Sequence, residues 1–227
     1  MSKTEHIRES FSAALPIILG YIAIGIPCGI LSASIGLNAL QVLMFCIFFY
    51  SGAGQFMIPN MWLTASPIAS IVASVSLVNT RQMLYSASLA PYCQSAKKRL
   101  SFLFSATVTD ESYGVNMAKF AEGEWSVGRA TMVNLFSQSS WTLSCVIGVL
   151  IGNIVELPLA IASFAMTSIF ICLLCTQKLS LNNTVAALFA GIGVVVCKFL
   201  GLAEVAILVG ALLGVVAAMV ANEVGRR

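Results

Sequence analysis

The chain has 227 residues, 59% hydrophobic and 9% charged, whereas a water-soluble domain has roughly 45–50% and 25%. So few polar groups cannot make a hydrated surface, which excludes a soluble enzyme, a nucleic-acid-binding protein and a disordered linker. The net charge of +3 identifies no partner, and the charges are unevenly spread: no Lys, Arg, Asp, Glu or His occurs from Ser10 to Thr80, a stretch that holds three membrane spans at about 20 residues each.

Apolar segments separated by polar or Gly/Pro punctuation give eight candidate spans, at 11–34, 38–60, 66–91, 101–119, 129–152, 158–177, 183–201 and 203–221. The fold class is all-α: a polytopic membrane bundle of seven or eight transmembrane or re-entrant helices in one domain, 1–227. Lys3, His6 and Arg8 precede the first span, whose apolar run exceeds the roughly 7–15 residues of a cleavable signal core. Pro16 and Pro27 remove backbone donors inside it and predict a kink. Gly25 and Gly29 form a G-x-x-x-G, repeated by Gly148 with Gly152 and Gly210 with Gly214, a spacing that lets helices approach closely in lipid.

Ser34-Ile35-Gly36-Leu37 reads as a tight turn into the second span. There Ser51-Gly52-Ala53-Gly54-Gln55-Phe56 interrupts an apolar run. Two glycines and a serine fit either a local unwinding that offers backbone groups to a substrate or a close helix crossing, and Gln55 adds a donor and an acceptor. Ser66-Pro67 supplies a capping hydroxyl and a first-turn proline for the third span. Near its centre lie Asn79, Arg81 and Gln82, with Tyr85 one turn on. A guanidinium stays charged at ordinary pH and needs a carboxylate or an array of carbonyls.

The fourth span carries Asp110, the only aspartate of the chain, and Glu111 at its centre. An acid there costs roughly 2.5–3.5 kcal/mol on insertion scales and faces a partner or a cavity. On a continuous helix Thr107, Asp110, Glu111 and Gly114 share one stripe, while the two adjacent acids point about 100° apart. Arg81 is expected to pair with one of them, either as part of a working site or as a structural ion pair. The fifth span adds a weaker polar band of Asn134, Ser137, Gln138, Ser139 and Ser140 beside Trp141, from which Gln138 is a cavity-lining candidate.

Pro158 is placed to start the sixth helix, and Gly201-Leu202-Ala203-Glu204 divides the last two segments as a hairpin or a broken helix. Lys198 is near enough to a span end to snorkel, and Trp62 and Trp125 fall at interfacial depth. The seven cysteines read as small packing residues, Cys172-x-x-Cys175 included. The sole histidine, His6, leaves no H-E-x-x-H metal site, one aspartate leaves no aspartyl dyad, and G-x-S-x-G and phosphate-binding loops are missing. No enzyme, cofactor or metal is expected.

With every span crossing and the amino terminus inside, Lys3, Arg8, Lys119, Arg129, Lys178, Arg226 and Arg227 are cytoplasmic, but Lys97, Lys98 and Arg99 are external. A single early re-entrant segment reverses that conflict without removing it. Both termini are expected inside.

Three motifs in order, Tyr50-Ser51-Gly52-Ala53-Gly54-Gln55-Phe56, Asn79-Thr80-Arg81-Gln82-Met83-Leu84-Tyr85-Ser86-Ala87-Ser88-Leu89 and Thr109-Asp110-Glu111-Ser112-Tyr113, resemble the AzlC family, the large subunit of bacterial branched-chain amino-acid exporters. The resemblance covers nearly the whole chain and the glycine-rich first span. It implies a seven-span inner-membrane secondary exporter of leucine, isoleucine, valine and often methionine. It also implies a small AzlD-type membrane subunit as partner and the proton as coupling ion. Thr80 and Gln82 depart from the family pattern, which has Leu or Thr before the arginine and a basic residue after it, so no proton-relay role carries over to position 82. The competing readings are a permease subunit of an ATP-driven system and a non-transporting membrane scaffold.

Overall fold

The computed structural model describes residues 3–123, 125–154, 164, 167–168, 171, 175, 181–201 and 206–224. Among them the regular structure is helical: α1 Lys3–Ser34, α2 Ala39–Phe48, α3 Gly52–Leu63, α4 Ile68–Leu89, α5 Lys98–Ala106, α6 Asp110–Ala121, α7 Val127–Gly152, α8 Leu181–Phe199 and α9 Ala206–Val224, with a short 3₁₀ turn at Ala90–Cys93 after α4. Two of these helices, α1 and α7, are long and apolar enough to cross a membrane unaided. Large apolar side chains point outward along the chain, among them Phe48, Met83, Phe102, Leu188 and Phe199. An aqueous surface would not carry such patches.

The described residues form two compact units, 1–63 with 78–166 and 64–77 with 167–227. The first is built on α1 and α7, which run parallel. Glu9 meets Arg129 at 2.9 Å, the rings of Phe11 and Phe136 meet edge to face, and Ser140 Oγ donates to the Ile18 carbonyl at 3.1 Å. Further along, Gly25 faces Ser144 and Gly29 faces Cys145 and Gly148. A β-carbon on Gly29 would overlap the Cys145 carbonyl, and one on Gly148 the Ile26 carbonyl. The G-x-x-x-G of the first span is thus the seam of a close parallel crossing. Helix α1 stays unbroken through Pro16 and Pro27. It ends where Gly36 takes φ +87° and Leu37 N–H returns to the Ser32 carbonyl, a glycine-terminated stop. Asn38 then caps α2 reciprocally with Gln41.

Two expected spans are each two helices. Segment 38–60 breaks at Phe49–Ser51, and segment 101–119 breaks at Thr107–Thr109. The third span also starts later than expected: the Pro67 carbonyl accepts the first helical bond of α4 from Ile71, and the Ser66 hydroxyl meets Thr64 instead of capping.

In the second unit α8 and α9 form an antiparallel pair. Gly193 lies against Gly210, and Gly214 against Ala186 and Ala190. The two last segments are therefore a hairpin, and Gly210–Gly214 is its seam. Lys198 lies in the last turn of α8, as snorkelling requires. Of the expected helix at 158–177, the described residues 164, 167–168, 171 and 175 are helical, while its Pro158 start and Cys172 of the C-x-x-C lie outside the described residues.

Candidate functional site

Every backbone carbonyl left free by a helix break must find a donor where water is scarce. At the first break side-chain amides supply them. Gln55 Nε2 donates to the Phe49 carbonyl at 2.7 Å and to that of Phe45 at 3.3 Å. Gln138 Nε2 lies 3.4 Å from the Cys46 and Ile47 carbonyls, and Gln82 Nε2 donates to Tyr50 O at 3.2 Å. Gln55 is held in turn by Trp141, whose indole N–H donates to Gln55 Oε1.

Ser51 opens α3. Its carbonyl accepts from Gln55 N, its Oγ accepts from Gly54 N at 3.2 Å, and its hydroxyl donates to Asn79 Oδ1 at 2.6 Å. The break therefore precedes the glycines instead of coinciding with them: Gly52 and Gly54 are helical. A β-carbon on Gly54 would press on the Phe49 ring, whereas one on Gly52 would make ordinary contact with the Trp141 ring. Gly54 thus makes room for packing, and Gly52 keeps the start of α3 close to Trp141.

At the second break Thr107 ends α5, its hydroxyl donating to the Leu103 carbonyl at 2.7 Å. Asn134 Nδ2 donates to the Phe104 carbonyl at 3.1 Å and to Thr107 Oγ1 at 3.2 Å. Asn134 is oriented by Asn116, and Asn116 by the indole N–H of Trp125. Thr109 then caps α6 in a reciprocal box with Ser112.

This corrects the expected placement of the acids. Asp110 and Glu111 do not sit mid-helix with Thr107 on one stripe; the break puts Thr107 on α5, and the acids occupy the first turn of α6. There the positive end of the helix dipole offsets part of the cost of their charge. Their different surroundings match their different directions. Asp110 Oδ2 meets Arg81 Nη1 at 2.7 Å, while Glu111 Oε2 accepts from the Tyr21 hydroxyl at 2.6 Å, which also lies 2.8 Å from Thr109 Oγ1.

Helix α4 serves both breaks: Asn79 and Gln82 turn to the first, Arg81 and Tyr85 to the second. The Tyr85 ring stacks on Tyr113, with centroids 4.5 Å apart. Around these residues three enclosed polar atoms have no hydrogen-bond partner, Tyr50 OH, Arg81 Nε and Asp110 Oδ1. Such atoms mark a place where polar groups await a partner.

The structure brings Ser51, Gly52, Gln55, Asn79 and Gln138 together at the first break and Arg81, Tyr85, Thr109, Asp110 and Glu111 at the second. Of the rest of the polar band, Ser137 and Ser139 bond back to their own helix, and Asn134 serves the end of α5. Sequence reasoning missed Tyr21, Tyr50 and Asn116. Tyr21 and Asn116 are lone polar groups in an apolar or amphipathic run, Tyr50 opens the first motif without a role assigned to it, and only the fold shows that Tyr21 reaches Glu111 across 90 residues. Among the described residues no cluster of His, Cys, Asp and Glu could hold a metal ion.

The family described as AzlC protein matches residues 16–155. Two membrane proteins of uncharacterised function and one named transporter are similar to the chain. The membrane protein of Helicobacter pylori strain 26695 is 29% identical over 93% of this chain and 93% of its own. The branched-chain amino acid transport protein AzlC of Bacillus subtilis strain 168 is 26% identical over 85% of this chain and 76% of its own. The membrane protein of Haemophilus influenzae is 24% identical over 93% and 87%. No solved structure matches.

Proposed function

The chain belongs to the AzlC family, and on that premise we propose that it is the large subunit of a proton-coupled exporter of leucine, isoleucine, valine and methionine. It works in the bacterial cytoplasmic membrane with a small AzlD-type subunit. The named function of the Bacillus relative supports the substrate class. The observation that carries the reading is the Arg81–Asp110 pair beside two broken helices. Broken helices with polar residues at mid-membrane are how transporters bind small polar substrates.

A zwitterionic amino acid is complementary to this pair: it opens the ion pair, its carboxylate taking Arg81 and its ammonium taking Asp110. Asn79, Ser51 and the amino-terminal end of α3 extend the polar surface. Proton and substrate then compete for one carboxylate. Facing the cytoplasm, the ammonium replaces the proton; facing outside, the proton neutralises Asp110 and releases the ammonium. Arg81 cannot alternate in charge, so the coupling falls to the acid. Glu111, held by Tyr21, supports the same region. The parallel course of α1 and α7 fits one crossing between them, by α4, with α2–α3 and α5–α6 each turning back at its break: Ile58 and Trp62 of α3 line one cavity with Leu37, Leu40 and Gln41 at the start of α2, and Tyr92, just before α5, stacks on Phe120 at the end of α6. A single early re-entrant segment would make α1 and α7 antiparallel.

The test is efflux of radiolabelled leucine, isoleucine, valine and methionine from cells expressing this chain, the neighbouring small membrane protein, both or neither. Accelerated efflux that needs both chains is expected. Equal efflux in all four would leave the polar residues as mere ties between helices and favour the scaffold.

A further inference from the structure

A second cluster of charge lies outside the Arg81–Asp110 site. Where the first turns of α1 and α7 meet the end of α6, an open cavity of about 490 Å³ is lined by Glu9, Ser12, Lys119, Glu122, Trp125 and Arg129. We propose that it is a second binding site for zwitterionic amino acids, a vestibule that loads the central site; the substrate class rests on the transport reading above.

Its charges are two positive and two negative, and they are paired: Arg129 with Glu9 at 2.9 Å and Lys119 with Glu122 at 2.8 Å. A purely anionic ligand such as a phosphate would have to enter against both carboxylates, and a purely cationic one against both cations. A zwitterion meets the wall without net change of charge, its carboxylate beside Arg129 or Lys119 and its ammonium beside Glu9 or Glu122.

The Arg129 guanidinium lies over the Trp125 ring at 5.5 Å from its centroid, and the indole is pinned by its bond to Asn116 Oδ1 at 3.1 Å. This sets a flat apolar surface beside the charges, suited to an aliphatic side chain. Arg129 Nε is enclosed and has no partner, so one donor of the guanidinium is free for a carboxylate once the side chain shifts. Asn116 also joins this wall to Asn134 and hence to the end of α5 at the second helix break. The cavity lies at the amino-terminal end of α1, the cytoplasmic end in the topology expected from Lys and Arg, from which an exporter draws its substrate.

The experiment uses the purified full chain and reads tryptophan fluorescence, with Trp125→Phe to identify the Trp125 part of the signal. Leucine is expected to change that part. Leucinol, which lacks the carboxylate, 4-methylpentanoate, which lacks the ammonium, and inorganic phosphate are expected not to at equal concentration. Glu9→Gln and Arg129→Gln should each weaken the leucine response roughly tenfold, the effect of losing one charge-assisted contact, while Asp110→Asn leaves it in place. No Trp125-dependent response to leucine, or an equal response to phosphate or 4-methylpentanoate, overturns the proposal. Leucine efflux measured in parallel separates the two readings. Efflux without a Trp125 response rejects the second site alone; a response without efflux keeps the second amino-acid site and rejects the transport reading together with the loading role.

Discussion

Gln55 shows how much one side chain does at the first helix break. Its amide covers the carbonyls of Phe45 and Phe49 while its oxygen accepts from Trp141, and it is almost completely buried. Replacing it with leucine keeps the volume, strands the indole N–H of Trp141 and removes the side-chain donor from two carbonyls that keep only the backbone N–H groups of Phe49 and Ser51. Each buried polar group left without a partner costs about 1–3 kcal/mol. Gln55→Leu is therefore expected to lower the thermal midpoint in detergent by several degrees, whereas Gln55→Glu, which keeps the acceptor for Trp141 but loses the amide donors, should fall between it and the wild type. A Gln55→Leu midpoint equal to that of the wild type would remove the carbonyl-capping account. Tyr21 matters differently. Tyr21→Phe removes the hydroxyl that Glu111 and Thr109 share but leaves the Thr109–Ser112 capping box in place, so insertion and folding should survive while efflux falls, as a transport assay on membrane-inserted protein would show.

At the level of helices, the glycine seams make a sharp contrast. Gly29 has no room for a β-carbon against Cys145 and Gly148, whereas Gly20 on the same helix has nothing near it. Gly29→Ala is expected to destabilise the protein by about 1–3 kcal/mol, the usual cost of overpacking, and Gly20→Ala to leave the melting temperature unchanged or slightly raised. Equal melting of the two variants would contradict the close α1–α7 crossing.

Much of this layer could be read from the residues alone: the apolar runs located α1, α7 and the hairpin of α8 and α9, and the small-residue spacing located their seams. The breaks were harder to place. Glycine marked a disturbance near Ser51–Phe56, yet the chain breaks earlier, at Phe49–Ser51, because the amides that satisfy its carbonyls come from Gln55, Gln82 and Gln138 on three different helices. In the acid-bearing segment Thr109 and Ser112 form a capping box, but an apolar window of the right length hides it. A hydroxyl pair inside such a run is the sign that a helix begins there, and reading it would have moved Asp110 and Glu111 from the centre of a helix to its first turn. The ties from Tyr21 to Glu111 and from Asn134 to Phe104 join segments far apart in sequence, which no local pattern encodes.

For the molecule as a whole, the parallel α1 and α7 bring Glu9 and Arg129 to one end of the first unit, and Lys119 lines the same cavity. Ala96 and Leu100 pack into the cluster that holds Phe120, Trp125 and Val127, so with the amino terminus cytoplasmic Lys97, Lys98 and Arg99 fall on the inner side beside Lys119 and Arg129, and the outside placement expected from eight full crossings is corrected. Single cysteines placed at Lys97 and Lys119 in a cysteine-free background should both label with a membrane-impermeant thiol reagent from the inside; labelling of the two from opposite sides would rule this topology out. The central claim is that the carboxylate facing Arg81 exchanges a proton for the substrate ammonium. The most direct measurement is leucine transport in proteoliposomes containing this chain and its small partner, with and without an imposed proton gradient, for the wild type, Asp110→Asn and Glu111→Gln. The account predicts that the gradient accelerates transport by the wild type and has no effect on Asp110→Asn. If both variants keep the wild-type dependence on the gradient, the acids are structural partners of Arg81 and Tyr21, and the coupling lies elsewhere.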